Sequence, residues 1–238
     1  MRGVAKISYH YKQPDGRWYR LVPSHFPTVN VFEDCYDSAE ELEVAFEIEA
    51  LTNDRLRQEA GNLYLVPPEE WVTGPGATPI MAAFTHIGKP SRFTSGELFG
   101  VYYAADSLET AIKETLHHNA KFLSATQEGD MELTMRSYST RVLKPLVDIT
   151  GESVESRNEL CDPEDYAPAQ VFSQQLRAQD ECGIYYPSVR HDKHFNIAIL
   201  KPTAISLTTQ GAHYRYQWSG HKQSFIGYFK IADMHEVD

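Results

Sequence analysis

Polar and apolar positions alternate, then switch to helical spacing, in ways that divide the chain into elements. "QPDGRWYRLV" carries a Pro-Asp-Gly turn followed by an aromatic, β-leaning run. "SAEELEVAFEIEALTNDRLRQEAGN" has helical spacing, with Ser38 as cap, Glu41 completing a capping box and Gly61 at the end. Residues 66–97 are rich in Pro and Gly and predict a long excursion of the kind that often forms a binding loop. A strand is expected over 98–104, leading into the helix "ADSLETAIKETLHHNAKFL" with Asp106 as N-cap and Glu109 closing the box.

In that helix Leu108, Ala111, Ile112, Thr115 and Leu116 make an apolar stripe at i, i+3, i+4 spacing. Glu114 falls ~60° beyond the stripe edge at Ala111, and His118 follows one turn later. Glu114 thus faces the border between core and solvent. On the preceding strand Tyr102 and Tyr103 must point to opposite faces, one into the core and the other toward a cleft.

Further strands are expected at "MELTM", "RVLKPLVDIT", "IYYPSV", "NIAILKP" and "SFIGYFKI". "DYAPAQVFSQQLRAQDECG" predicts a helix with Ala169, Phe172 and Leu176 inward and Gly183 at its end. Strands outnumber helices and the helices are spread along the chain. The expected class is α+β, with a mixed or antiparallel sheet flanked by helices, in one domain over 1–238.

The 238 residues suffice to bury a core, and 42% hydrophobic with 23% charged residues is ordinary for a globular protein. The net charge of -11 suits a phosphate-neutralising nucleic-acid binder poorly. Three cysteines without metal-type spacing (Cys35, Cys161, Cys182) point to the reducing cytoplasm. The N-terminal "MRGVAKISYHYKQPDGRW" has no apolar signal-peptide core, and no run approaches a membrane span.

The nucleotide, hydrolase and zinc motifs with strong signatures are absent. "RHDKH" brings His191, Asp192 and His194 together, but supplies too few ligands for a metal site, and none is expected. Ser188 in "GIYYPSVR" has no base partner nearby in sequence. Arg92 in "PSRFTSGEL" could pair with phosphate oxygens through its planar guanidinium. Taken singly, each of these residues is commonest as a surface or packing residue.

Taken in order, they resemble the RES-domain family. "WYRLV" resembles that family's opening Tyr-Arg and supplies Arg20. "SRFTSGELFGVYYAADSLETAIKET" resembles its central block and supplies Arg92, Tyr103 and Glu114. "DYAPAQVFSQQLRAQDECGIYYPSVRHDKHFNIAILKP" resembles its closing block and supplies Ser188 and Asn196. Lys89, Pro90 and Ser91 stand where short members carry glycines. Residues 32–84 read as an insertion and 203–238 as a C-terminal extension.

The resemblance implies a fold like that of ADP-ribosyltransferases, and a toxin of a type II toxin–antitoxin system paired with an Xre-type antitoxin. It implies cleavage of the nicotinamide–ribose bond of NAD⁺ by water or phosphate, with no cofactor beyond NAD⁺ as substrate. Glu114 would stabilise the oxocarbenium-like transition state, with Arg92, Tyr103 and Ser188 beside it. Arg20, Arg92, Tyr103 and Asn196 would bind the dinucleotide. Two alternatives stay open: transfer of ADP-ribose to a protein or small molecule, and a binding protein with a degenerate cleft. An RNA-cleaving toxin is disfavoured by the acidic balance.

Overall fold

The computed structural model describes residues 9–23 and 61–231, so the helix expected between Ser38 and residue 60 lies outside the described residues. The described chain builds one nine-stranded sheet. Its strands are β1 (Tyr11–Lys12), β2 (Trp18–Pro23), β3 (Tyr102–Ala105), β4 (Met131–Thr140), β5 (Leu146–Asp148), β6 (Gly183–Pro187), β7 (Phe195–Ile199), β8 (Thr209–Ser219) and β9 (Ser224–Lys230). Their order across the sheet is β1-β5-β6-β7-β3-β2-β4-β8-β9. All neighbours are antiparallel except β5 and β6. The class is therefore α+β with a mixed sheet.

Four α-helices are described: α1 (Thr78–Thr85), α2 (Leu108–Thr126), α3 (Val154–Leu160) and α4 (Ala167–Ala178). Register assigns the two sheet faces, because directly paired residues share a face. Tyr103, Ala105, Tyr19, Asn196, Ala198, Ile184 and Tyr186 lie on one face. There α4 packs Ala169 and Leu176 against Ile184 and Ala198, and α2 packs Ala111 and Ile112 against Leu21 and Ala105. Tyr102, Ala104, Trp18 and Tyr185 lie on the other face, where α1 contributes Ile80, Met81 and Phe84. The tyrosine pair divides as alternation demands: Tyr102 is fully buried in one core and Tyr103 is half-buried on the opposite side.

Several local expectations shift. The strand expected over 98–104 begins at Tyr102, where pairing with Ile199 of β7 starts. The N-cap of α2 is Ser107, not Asp106: Ser107 is extended and its side chain accepts the N–H of Thr110. Asp106 is occupied elsewhere, accepting from His194 Nδ1 at 2.9 Å and from the N–H of Phe195 at 2.8 Å. Glu109 is exposed and pairs with Lys113 instead of closing a box.

The fourth helix ends at Ala178, and Asp180 takes the left-handed backbone conformation, φ 68°. Gly183 opens β6, at a place where a Cβ would meet the carbonyl oxygen of Ala198 at 2.5 Å. It is required by close strand approach, not by a helix end. The expected excursion at 66–97 contains α1. The long strand β8 and the short helix α3 were not expected from their patterns.

One polar anchor ties the segment before α1 to this core. Arg177 of α4 donates to both carboxylate oxygens of Glu70, at 2.9 and 2.8 Å, with side-chain exposures of 20% and 12%. No described helix is long and apolar enough to cross a membrane.

Candidate active site

The apolar stripe of α2 drives Ala111 and Ile112 into the core and leaves Glu114 half-buried on its flank. From there the carboxylate meets two side chains from distant strands. Ser188, just past β6, donates its hydroxyl to Glu114 Oε1 at 2.7 Å. Asn196 of β7 donates its Nδ2 amide to the same oxygen at 2.7 Å. Ser188 and Asn196 are 8% and 4% exposed, so Glu114 Oε1 is held by buried donors. Its second oxygen has no donor among the described residues.

The Ser188 hydroxyl is itself fixed. It accepts the backbone N–H groups of Arg190 and His191 at 3.2 and 3.1 Å. The turn after Ser188 is pinned to the start of α2. His191 Nδ1 lies 2.9 Å from Thr110 Oγ1, His194 bonds Asp106, and the two imidazoles stack with centroids 3.9 Å apart. The "RHDKH" run thus serves to position the serine. Among the described residues no group of three or more His, Cys, Asp or Glu side chains is placed to hold a metal ion.

Tyr103 reaches this region from β3. Its hydroxyl accepts the N–H of Phe93 at 2.9 Å and shares a hydrogen bond with Ser91 at 2.8 Å. Burial raises its pKa to about 12, with those two hydrogen bonds pulling the other way. Tyr103 thereby holds the 91–94 loop, which closes on itself through the Ser91–Thr94 bridge.

Arg92 projects from that loop and is 8% exposed. Its Nη1 donates to the carbonyls of Leu160 and Asp162 at 3.2 and 2.7 Å, capping the end of α3, and its guanidinium carbon lies 4.9 Å from the Tyr166 ring centre. Nε and Nη2 have no acceptor among the described residues.

Arg20 is placed differently. Register puts it with Tyr138 and Trp18, on the face opposite Asn196. The sheet opens between β2 and β3, which pair only at Tyr19 and Ala105. The Arg20 guanidinium lies over the Tyr102 ring at 4.7 Å and donates Nη1 to the Tyr103 carbonyl at 3.2 Å. Its Nε is buried without a partner among the described residues. The structure therefore joins Glu114, Ser188 and Asn196 directly, sets Tyr103 and Arg92 in one adjoining loop assembly, and leaves Arg20 at the opening of the sheet.

The RES domain family model matches residues 63–219, about two thirds of the chain. The chain belongs to the RES-domain family. The matched span contains Arg92, Tyr103, Glu114, Ser188 and Asn196, and Arg20 precedes it. This RES-domain protein is 29% identical over 220 residues to "Uncharacterized protein y4oC" of Sinorhizobium fredii (strain NBRC 101917 / NGR234), covering 90% of this chain and 88% of that one. A solved structure, the M. tuberculosis MbcT-MbcA toxin-antitoxin complex, aligns with a TM-score of 0.47 at 11% identity, covering 90% of this chain and 89% of that one.

One residue of the RES-domain assembly escaped the sequence reading. Tyr186, 5% exposed, is the cross-strand partner of Asn196 and lies two residues before Ser188 on the same face. Period-2 spacing from Ser188 was the signal that could have found it.

Proposed function

We propose that this RES-domain protein degrades NAD⁺ by cleaving its nicotinamide–ribose bond, and that it acts as the toxin of a toxin–antitoxin pair. The observation that carries the reading is the Glu114 carboxylate, with one oxygen fixed by Ser188 and Asn196 and the other left for substrate. A carboxylate held by two buried donors cannot rotate away as charge develops opposite it. Preorganisation of that kind is commonly the largest catalytic contribution.

In this reading the C1′–N1 bond of the nicotinamide ribose breaks and its electron pair leaves with nicotinamide. Nicotinamide departs neutral and needs no protonation. The positive charge left on the ribose is stabilised by Glu114 Oε2, acting on a ribose hydroxyl. An oxygen of water or of phosphate then bonds to C1′. When water attacks, its proton passes to Glu114 or to solvent, giving ADP-ribose. When phosphate attacks, the product is the 1″-phosphate of ADP-ribose. Arg92 Nε and Nη2 are the donors that the 91–94 loop offers the pyrophosphate. Tyr103 would act by shaping that loop, and Arg20 would bind from the opening between β2 and β3.

A catalyst that drains NAD⁺ arrests the cell that makes it, and the partner that the family resemblance implies is an Xre-type antitoxin. The deciding experiment incubates the purified chain with NAD⁺, with and without phosphate, and identifies products. Release of nicotinamide with ADP-ribose or its phosphate supports the reading. An active-site-intact protein that leaves NAD⁺ unchanged overturns it. Growth arrest with falling NAD⁺ on expression of the chain alone supports the toxin role. Healthy cells holding abundant folded protein and normal NAD⁺ remove it.

A further inference from the structure

Tyrosines packed into this fold account for their hydroxyls in different ways. Tyr103 bonds Ser91 and Phe93, Tyr216 bonds Thr115 at 2.9 Å, and Tyr138 accepts from Arg136. Tyr186 has no hydrogen-bond partner among the described residues, although the residue is 95% buried. Its hydroxyl is also not sealed. Among the described residues, the fully buried side-chain polar atoms lacking a partner are Trp18 Nε1, Arg20 Nε and Tyr102 Oη. A hydroxyl that is neither bonded to protein nor closed off opens toward the space beside the ring.

Tyr186 lies near enough to Glu114 to feel its charge. Tyr186 shares a sheet face with Asn196, its direct cross-strand partner, and with Ser188 two residues on, and both of these hold Glu114. Its ring is fixed edge-on against Phe93 at 5.0 Å, in the loop that carries Arg92. The phenol stays protonated well past its ordinary range, because burial and then the Glu114 charge disfavour the phenolate, with Tyr103 adding and Arg92 opposing. It is a rigid neutral donor beside a rigid acceptor.

We propose that Tyr186 is a substrate-binding residue whose hydroxyl donates to an oxygen of the nicotinamide ribose while that sugar's hydroxyl donates to Glu114 Oε2. This rests on the NAD⁺ reading above. A ribose hydroxyl both donates and accepts, so a carboxylate and a phenol together satisfy it in one orientation. The carboxylate bond strengthens as the ring becomes cationic. The phenol bond forms in the ground state and persists, and so acts chiefly on binding.

Tyr186→Phe removes only the hydroxyl and keeps the contact with Phe93. The expected result is a KM for NAD⁺ about tenfold higher with a smaller change in kcat, as loss of one hydrogen bond of roughly 1.4 kcal/mol gives. NAD⁺ analogues lacking the 2′- or the 3′-hydroxyl of the nicotinamide ribose supply the second measurement. One of them should lose affinity for the wild-type protein, and Tyr186→Phe should lose much less on the same deletion. Wild-type protein that turns over NAD⁺ while Tyr186→Phe matches it in KM overturns this inference and leaves the NAD⁺ reading standing. Equal losses on hydroxyl deletion in both proteins overturn it likewise. Wild-type protein that neither binds nor consumes NAD⁺ removes both.

Discussion

Ser188 donates to Glu114 Oε1 at 2.7 Å while accepting the N–H groups of Arg190 and His191. The two N–H groups occupy the acceptor side of the hydroxyl, so its proton has one direction left, toward the carboxylate. The serine is thereby a dedicated donor and not a nucleophile waiting for a base. It positions the carboxylate, and the carboxylate is the group that can act on substrate.

Replacing Glu114 by Gln keeps the shape of the side chain but removes the charge. NAD⁺ consumption should fall by at least about 100-fold, the scale of losing a preorganised electrostatic contact. Circular dichroism and thermal melting should show a folded protein. A folded Glu114→Gln protein with full activity would exclude Glu114 as the stabilising group.

Ser188→Ala and Asn196→Ala each remove one donor from the same oxygen. Each should reduce kcat by about tenfold, and the double variant should lose less or more than the product of the single losses. Additive losses in the cycle would mean that the two donors act independently of each other.

Arg92 has two tasks in this structure. Its Nη1 satisfies the carbonyls of Leu160 and Asp162, so Arg92→Ala strands buried acceptors at the end of α3. The expected cost is about 1–3 kcal/mol of stability in urea denaturation. At a temperature where the variant is folded, KM for NAD⁺ should rise more than kcat falls, because a pyrophosphate contact is made before and in the transition state alike. A drop in kcat alone would place Arg92 at the reacting centre.

The Glu70–Arg177 pair should matter to stability and little to chemistry. Glu70→Ala leaves a largely buried guanidinium without its carboxylate, at a cost of about 3 kcal/mol. Chemical denaturation measures the loss. A change under about 0.5 kcal/mol would show that solvent replaces the carboxylate without penalty.

Burial raises Tyr102, Tyr103 and Tyr216 to about 12. In the unfolded chain these phenols ionise near pH 10. The native state holds them neutral, so the stability they contribute is complete below about pH 10 and is lost progressively as pH rises toward 12. Denaturation curves should show a steep decline across that window, with tyrosinate absorbance appearing as the protein unfolds. Ionisation of all tyrosines near pH 10 without unfolding would contradict the burial.

The sequence by itself determined what local physics can encode. The stripe at Ala111 and Ile112 fixed helix α2 and set Glu114 at its border, and alternation separated Tyr102 from Tyr103. Inward positions Ala169 and Leu176 were equally legible, as were most strands and the α+β class. It could not decide which cap α2 would use. Asp106 and Ser107 are both good caps, and Ser107 takes the role while His194 and Phe195, distant in the chain, claim the Asp106 carboxylate. β8 was missed because polar residues, Gln210, His213, Arg215 and Gln217 among them, break up its apolar positions.

The site itself was a tertiary decision. Glu114 meets Ser188 and Asn196 across 74 and 82 residues of chain. No periodicity within either segment states which strand will lie beside which. That choice follows from burying α2 and α4 on one face of the sheet and α1 on the other. The same choice set Tyr186 on the sheet face of Asn196 and Arg20 on the far side of the β2–β3 opening, because a side chain's face is fixed only once its strand has neighbours.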